Sequence, residues 1–255
     1  MFVRTLQFRA EVIVYSFLDV LPFFVIFFVW QALFQQVDTI NNFSLSQIVN
    51  YYLLVIIIDR LSATHFEGWR SEEIRNGKID YFLTRPFSYI SELLSKDVGS
   101  KIISIFFSMP VVITFYLINV YAYKIDQNYF TLANLLLFFG LMIVAYAIQF
   151  MIALWIVLLT FWFEGSSGLE HFKWIVLTLF SGAMIPIEFM PLWLKNITNL
   201  LPLKYIYAIP IGVIQGTTLL TINDYFTIII TLAVMFVFSK FLWGKAKYQY
   251  TSVGG

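Results

Sequence analysis

The residues that could do chemistry are few, and most of the usual arrangements are missing. There is no cysteine among the 255 residues, which removes disulfides, thiol nucleophiles and thiolate metal sites. No GxxxxGK[ST] loop exists to cradle a nucleotide phosphate, no HExxH pair to hold zinc, and no GxSxG elbow to present a serine. The two histidines, His65 and His171, are separated in the chain and have no carboxylate at ligand spacing. Ser166, Ser167 and His171 share one short loop, which reads as a polar turn rather than a nucleophile with its base. What remains is charge in apolar surroundings. Asp19, Asp59 and Arg60 fall inside hydrophobic runs, and Glu188 sits between Pro186 and Pro191. A charge in hydrocarbon is expensive, so each needs a partner or a water-filled cavity. Asp59 and Arg60 are neighbours, so on a helix they point about 100° apart and must meet other spans or interfacial water. They could form a polar path or an interhelix pair that fixes a bundle.

The elements that carry these residues follow from composition. The chain is 60% hydrophobic and 12% charged, with 28 phenylalanines. A soluble domain is nearer half apolar and a quarter charged, so hydrocarbon is the natural solvent for the excess. The net charge of +1 gives no pull toward nucleic acid. A membrane-crossing helix needs about 20 mostly apolar residues. Six segments qualify, roughly 13–34, 47–66, 102–122, 132–163, 174–190 and 224–243. Their apolar runs are continuous, not alternating as lipid-facing barrel strands would be. The fold class expected is all-α integral membrane: six transmembrane helices in a single domain over 1–255, with no internal repeat and no linker. The first span carries Asp19 and Pro22 and lacks a small-residue cleavage site, so it reads as a retained span. Before it, Phe2, Leu6, Ala10 and Ile13 share a helical face, which predicts an N-terminal interfacial helix.

Orientation follows from the basic residues. With the N-terminus inside, thirteen of the sixteen Lys and Arg residues fall on the inner side, and only Lys124, Lys195 and Lys204 on the outer. Both termini are therefore expected in the cytoplasm. The longest polar interval, 67–101, is then cytoplasmic and too short for a folded domain. Gly77 and Pro86 divide it into one or two short helices, and 88–98 has an apolar and a charged side. Segment 132–163 would be about 48 Å long as a straight helix, so it must tilt, bend or project from the bilayer.

The interval 181–223 is unusual. Pro186, Pro191, Pro202 and Pro210 interrupt it, yet Ile, Leu, Trp and Tyr dominate it. Each proline removes an amide donor and disfavours helix at the residue before it. Such a stretch predicts two short re-entrant helices on the outer side, between spans five and six. Broken backbone survives at that depth only where protein or a water-filled cavity satisfies it.

Three stretches resemble a known family. They are EEIRNGKIDYFLTRPFSY at 72–89, SGAMIPIEFMPLWLKNITNLLPLKYIYAIPIGVIQG at 181–216 and YQYTSVGG at 248–255. Together they resemble the ABC-2 type transporter permeases, in particular the six-span branch once known only as a domain of unknown function. The resemblance implies the membrane subunit of an ABC exporter. It would pair with a second permease subunit, identical or paralogous, and with a pair of separate ATP-binding subunits. ATP and Mg would sit on those partners, and no cofactor on this chain. It places Glu73, Arg75, Gly77, Asp80, Arg85 and Pro86 at or beside the coupling contact with the ATPase. It makes 184–210 an outer gate, with Pro186, Glu188, Pro191, Pro202 and Pro210. The substrate path would run between two copies, lined by the first, second and fifth spans. The setting implied is the cytoplasmic (inner) membrane of a prokaryote. An ion-coupled secondary transporter is the alternative, but such folds break helices in both halves, whereas here the broken region lies only in the second. A lipid-modifying enzyme lacks convergent ligands or nucleophiles, and a passive scaffold gives no reason for the prolines.

Overall fold

The computed structural model describes residues 21–41, 43–77, 88–124, 131–163 and 165–249. The expected interfacial helix, Asp19, Asp80, Arg85 and Pro86 lie outside these residues. Helix α1 covers Leu21–Leu33. A two-residue hairpin, Thr39–Ile40 with Phe43–Ser44, turns the chain into α2, Leu45–Ser62. Ser44 starts α2 with a capping box: its hydroxyl accepts from the Gln47 amide, and the Gln47 side chain accepts from the Ser44 amide at 2.9 Å. Helix α3, Glu67–Arg75, follows after four residues. Helix α4 runs Tyr89–Tyr123 and α5 runs Leu132–Leu159, the latter capped by the Thr131 hydroxyl. Helix α6 is Ser167–Phe180. Then come α7, Leu192–Leu200, α8, Ala208–Ile214, and the long α9, Ile222–Gln249.

Among the described residues four helical stretches are long and apolar enough to cross a membrane: 45–75, α4, α5 and α9. Within the described residues, which begin at Leu21, α1 covers 13 residues, and α6 covers 14, fewer than the ~20 that crossing needs. Where the sequence predicts a span over 174–190, the helix begins earlier and stops at Phe180, because Gly182 and Pro186 follow. The segment 88–98, read as a helix of its own, is continuous with α4. Pro86 lies before its start, and a single glycine, Gly99, is not enough to interrupt it before Pro110. Pro110 is accommodated inside α4.

Helix α5 is the centre. It packs against α2, α3, α8 and α9, and 61% of its most apolar stretch is buried, against 17% for α4 and for α9. Leu141, Ala145, Gln149, Ala153 and Val157 recur at four-residue spacing and are all buried. The two alanines let neighbouring backbones approach closely. Gln149 donates to the Ser62 hydroxyl at 2.8 Å and ties α5 to the end of α2. Helix α9 docks through Trp155, whose indole donates to Ser239 at 2.8 Å, and through Trp243, stacked on Tyr89 at 5.2 Å. The outer faces of α4 and α9 expose Phe106, Tyr121, Val237 and Phe241. These long apolar faces have no partner within the described residues, as expected of surfaces solvated by lipid.

The proline-rich interval folds into short pieces. Pro186 precedes a 3-10 turn at Ile187–Phe189, Pro191 precedes α7, Pro202 opens a second 3-10 turn, and Pro210 is buried within α8. The freed carbonyls find donors on α2. Tyr51 donates to the Gly182 carbonyl at 2.7 Å and Tyr52 to the Met184 carbonyl at 2.9 Å. Trp30 of α1 donates in turn to the Tyr52 hydroxyl at 3.0 Å. The Ala208 amide closes the loop on the Ser181 carbonyl at 3.1 Å. Tyr205 donates to Asp224 at 2.8 Å, and burial, helped by that carboxylate, pushes its phenol up to about 12, so it stays a donor.

Gly182 is a tight point in this segment, with φ at +89° and room for no side chain. A Cβ there would lie 2.9 Å from both the Ala208 Cβ and the Tyr51 hydroxyl. Gly182→Ala is expected to cost about 2 kcal/mol by overpacking and to lower the thermal midpoint in detergent by several degrees. Gly140→Ala, in open space on α5, should leave the midpoint unchanged or raise it, because alanine favours helix.

Candidate functional site

The charges gather where α2 stops. Four residues, Ala63 to Phe66, separate α2 from α3, and a helix end leaves carbonyls without intrahelical donors. Two lysines from distant helices supply them. Lys101 of α4 donates to the Ala63 carbonyl, and Lys173 of α6 donates to the Thr64 carbonyl at 2.8 Å. Lys173 also forms a buried ion pair with Glu67, the first residue of α3. Arg70, one turn further on, is fully buried. Its guanidinium pairs with Glu73 at 2.7 Å and with Glu92 of α4 at 3.4 Å, and lies over the Trp69 ring at 4.1 Å. Phe66 and Ile74 seat the helix in an apolar cluster with Leu93, Phe150 and Leu154. Gly68 lets Glu170 of α6 come close, since a Cβ there would lie 3.2 Å from its carboxylate. Helix α3 is therefore fastened to α4, α5 and α6 together.

Above this joint lies a cavity of about 480 Å³ between α1, α2 and α6. Pro22, Phe23, Ile26, Val55, Ile56 and Leu177 make its apolar wall. Asp59, Arg60, His65, Glu67, Glu170 and Lys173 gather at its α3 end, and Gln149 and Tyr207 also line it. Tyr207 donates to Asp59 at 2.8 Å, which answers the question of where that carboxylate turns: it meets the segment before α8, not Arg60. A smaller cavity of about 240 Å³ on the other side of the α2 end shares Asp59, Arg60, Ala63 and His65 with the first. Asp97 lines it and accepts from Tyr146 at 2.7 Å.

The other residues singled out from the sequence fall in two places. Glu73 pairs with Arg70, Arg75 is exposed on the last turn of α3, and Gly77 follows it with φ at +72°. Pro186, Glu188, Pro191, Pro202 and Pro210 belong to the broken segment beyond α6, where the Glu188 carbonyl accepts from Asn41 at 3.4 Å. His171 accompanies neither Ser166 nor Ser167 as a base; its Nδ1 lies 2.7 Å from the Ser167 carbonyl. Sequence reasoning passed over Glu67, Arg70, Glu170 and Lys173. Their one signal is the placement of charge at the boundaries of apolar runs, and it names no partners. Glu67 and Lys173 are 106 residues apart.

Removing one member of a buried pair strands the other charge, at about 3–5 kcal/mol. Lys173→Met is expected to destabilise the detergent-solubilised chain by that order, read as a loss of the monodisperse peak after a heating series. Glu67→Gln with Lys173→Met should recover most of the loss, because no charge is then left buried alone.

A family model described as ABC-2 family transporter protein matches residues 20–254, nearly the whole chain. No curated relative and no solved structure matches it significantly. With its long apolar helices and this match across almost its full length, the chain belongs to the ABC-2 transporter family and is a multi-pass membrane protein of it.

Proposed function

We propose that the chain is the permease subunit of an ABC exporter, working as a dimer of such subunits with two separate ATP-binding subunits. The observation that carries this reading is the joint at α3. A short charged helix follows a membrane helix closely and is held to α4 by Arg70 and to α6 by Lys173, while Lys101 of α4 holds the Ala63 carbonyl just before it. Force applied to α3 reaches α2 through the chain, α4 through Arg70 and α6 through Glu67 and Lys173. Helices α2 and α6 are two of the three that enclose the larger cavity, and Glu67 and Lys173 form part of its floor. A movement of α3 therefore reshapes the cavity directly. Such a coupling needs a difference in contacts between two states, and a buried ion pair at the joint supplies contacts that can be made or broken.

In this reading α1 and α6 complete six spans, both termini and α3 face the cytoplasm of a prokaryotic cell, and an interfacial helix precedes α1. ATP and Mg bind the partner, and this chain catalyses nothing. The exposed Arg75 and the segment after Gly77 meet the ATPase. The cavity between α1, α2 and α6 is one half of the substrate path, completed by a second copy. The broken segment, held by Tyr51 and Tyr52, closes the path on the outer side. Family membership does not favour the ion-coupled alternative.

Capture of the tagged chain from mild detergent should bring down a protein with a phosphate-binding loop and measurable ATPase activity. Arg75→Glu places a like charge against the groove that Arg75 complements, and should weaken capture at least tenfold, about 1.4 kcal/mol. A chain that stays alone after crosslinking in native membranes, with no ATPase activity, overturns the proposal.

A further inference from the structure

The larger cavity has a chemistry of its own, and we propose that it binds amphiphiles with a cationic headgroup, an alkylammonium in chemical class. This rests on the permease reading above and adds to it the nature of the cargo. The cavity is divided lengthwise: aliphatic and aromatic side chains of α1, α2 and α6 line most of it, and the charged groups lie together at the α3 end. That division matches a molecule with one apolar and one charged end. Its volume of about 480 Å³ lies within the usual range for a small-molecule site.

The sign of the charge follows from the floor. Three carboxylates, Asp59, Glu67 and Glu170, face two cations, Arg60 and Lys173. The Lys173 ammonium is taken up by Glu67 and by the Thr64 carbonyl, so that pair presents no net charge to a ligand. Asp59 and Glu170 then face Arg60, while Lys101, which also faces Asp59, is offset by Asp97, so the described residues here carry a surplus of one negative charge. Their present donors are neutral hydroxyls: Tyr207 donates to Asp59 and Ser166 to Glu170. Neither donor cancels charge.

Aromatic faces reinforce the preference. Phe23, Tyr52, Trp174 and Tyr207 all line the cavity. The hydroxyls of Tyr52 and Tyr207 are committed as donors, to the Met184 carbonyl and to Asp59. Their rings are what they have left to offer a ligand. Aromatic faces attract ammonium groups through the ring quadrupole and do nothing for an anion. An anionic headgroup would have to lie against two carboxylates, Asp59 and Glu170. A neutral one would leave the surplus charge unanswered.

The test uses the full-length chain in zwitterionic lipid nanodiscs, with octyltrimethylammonium, octyl sulfate and octanol as probes. Trp174 reports occupancy as the difference in fluorescence titration between the wild type and Trp174→Phe. The expected result is a saturable difference signal with the ammonium at least tenfold tighter than the sulfate. The preference should fall below threefold when Asp59→Asn and Glu170→Gln are combined, since both keep an acceptor oxygen and lose the charge. Equal or tighter binding of the sulfate overturns the proposal. So does a preference that survives in the double variant. A signal that does not saturate, or that is the same in Trp174→Phe, reports partition into the bilayer and overturns the cavity as a site. Failure of the permease reading shows separately: an ammonium-selective cavity in a chain that captures no ATPase would leave the site standing and remove the transporter around it.

Discussion

A helix that stops inside a packed bundle leaves carbonyls with no intrahelical donor, and this constraint organises the molecule. It arises twice. At the end of α2 the carbonyls of Ala63 and Thr64 are met by Lys101 and Lys173. Beyond α6 the carbonyls of Gly182 and Met184 are met by Tyr51 and Tyr52. In each case the donors come from helices far away in the chain. The breaks are therefore the points at which the bundle is tied together. The two solutions differ in chemistry because their surroundings differ: the first break lies among charged residues, where ammonium groups have carboxylate partners, and the second among aromatic and aliphatic ones, where a phenol is the least costly donor.

Helix α2 carries both sets of consequences. Its first half presents Tyr51 and Tyr52 to the broken segment, and its last turns present Asp59 and Arg60 to the cavity. Asp59 is reached by Tyr207, on the chain entering α8. One helix thus senses the proline-rich segment at one end and α3 at the other, with the cavity between. The central α5 supplies the rigid surface on which this happens. Its column of small and buried residues lets α2 and α9 approach, and Gln149 pins the end of α2.

The joint at α3 also explains why so much charge is tolerated in a largely apolar chain. Arg70, Glu67 and Lys173 are all buried, and each is paired. A buried pair contributes little to stability by itself, since desolvation offsets the attraction. What it does contribute is geometry: losing one member is costly, so α3 is confined to positions that keep the pairs intact.

The membrane class was legible from composition and run length alone, because hydrocarbon solvation depends on apolar area and not on partners. The proline-broken interval was legible for the same local reason, since a missing amide donor and a restricted φ are properties of single residues. The three motif patches carried the family, and the match over residues 20–254 bears that out. The span boundaries were less legible: hydropathy alone did not show that 88–98 continues into α4, or that α6 ends at Phe180. The joint was not legible at all. Lys173 read as one more basic residue setting orientation, and Glu67 as the start of a polar loop. Only the tertiary structure brings them together across 106 residues and aims Tyr207 at Asp59. Pairing energy between side chains depends on distance and dielectric, and a linear sequence specifies neither until the helices have packed.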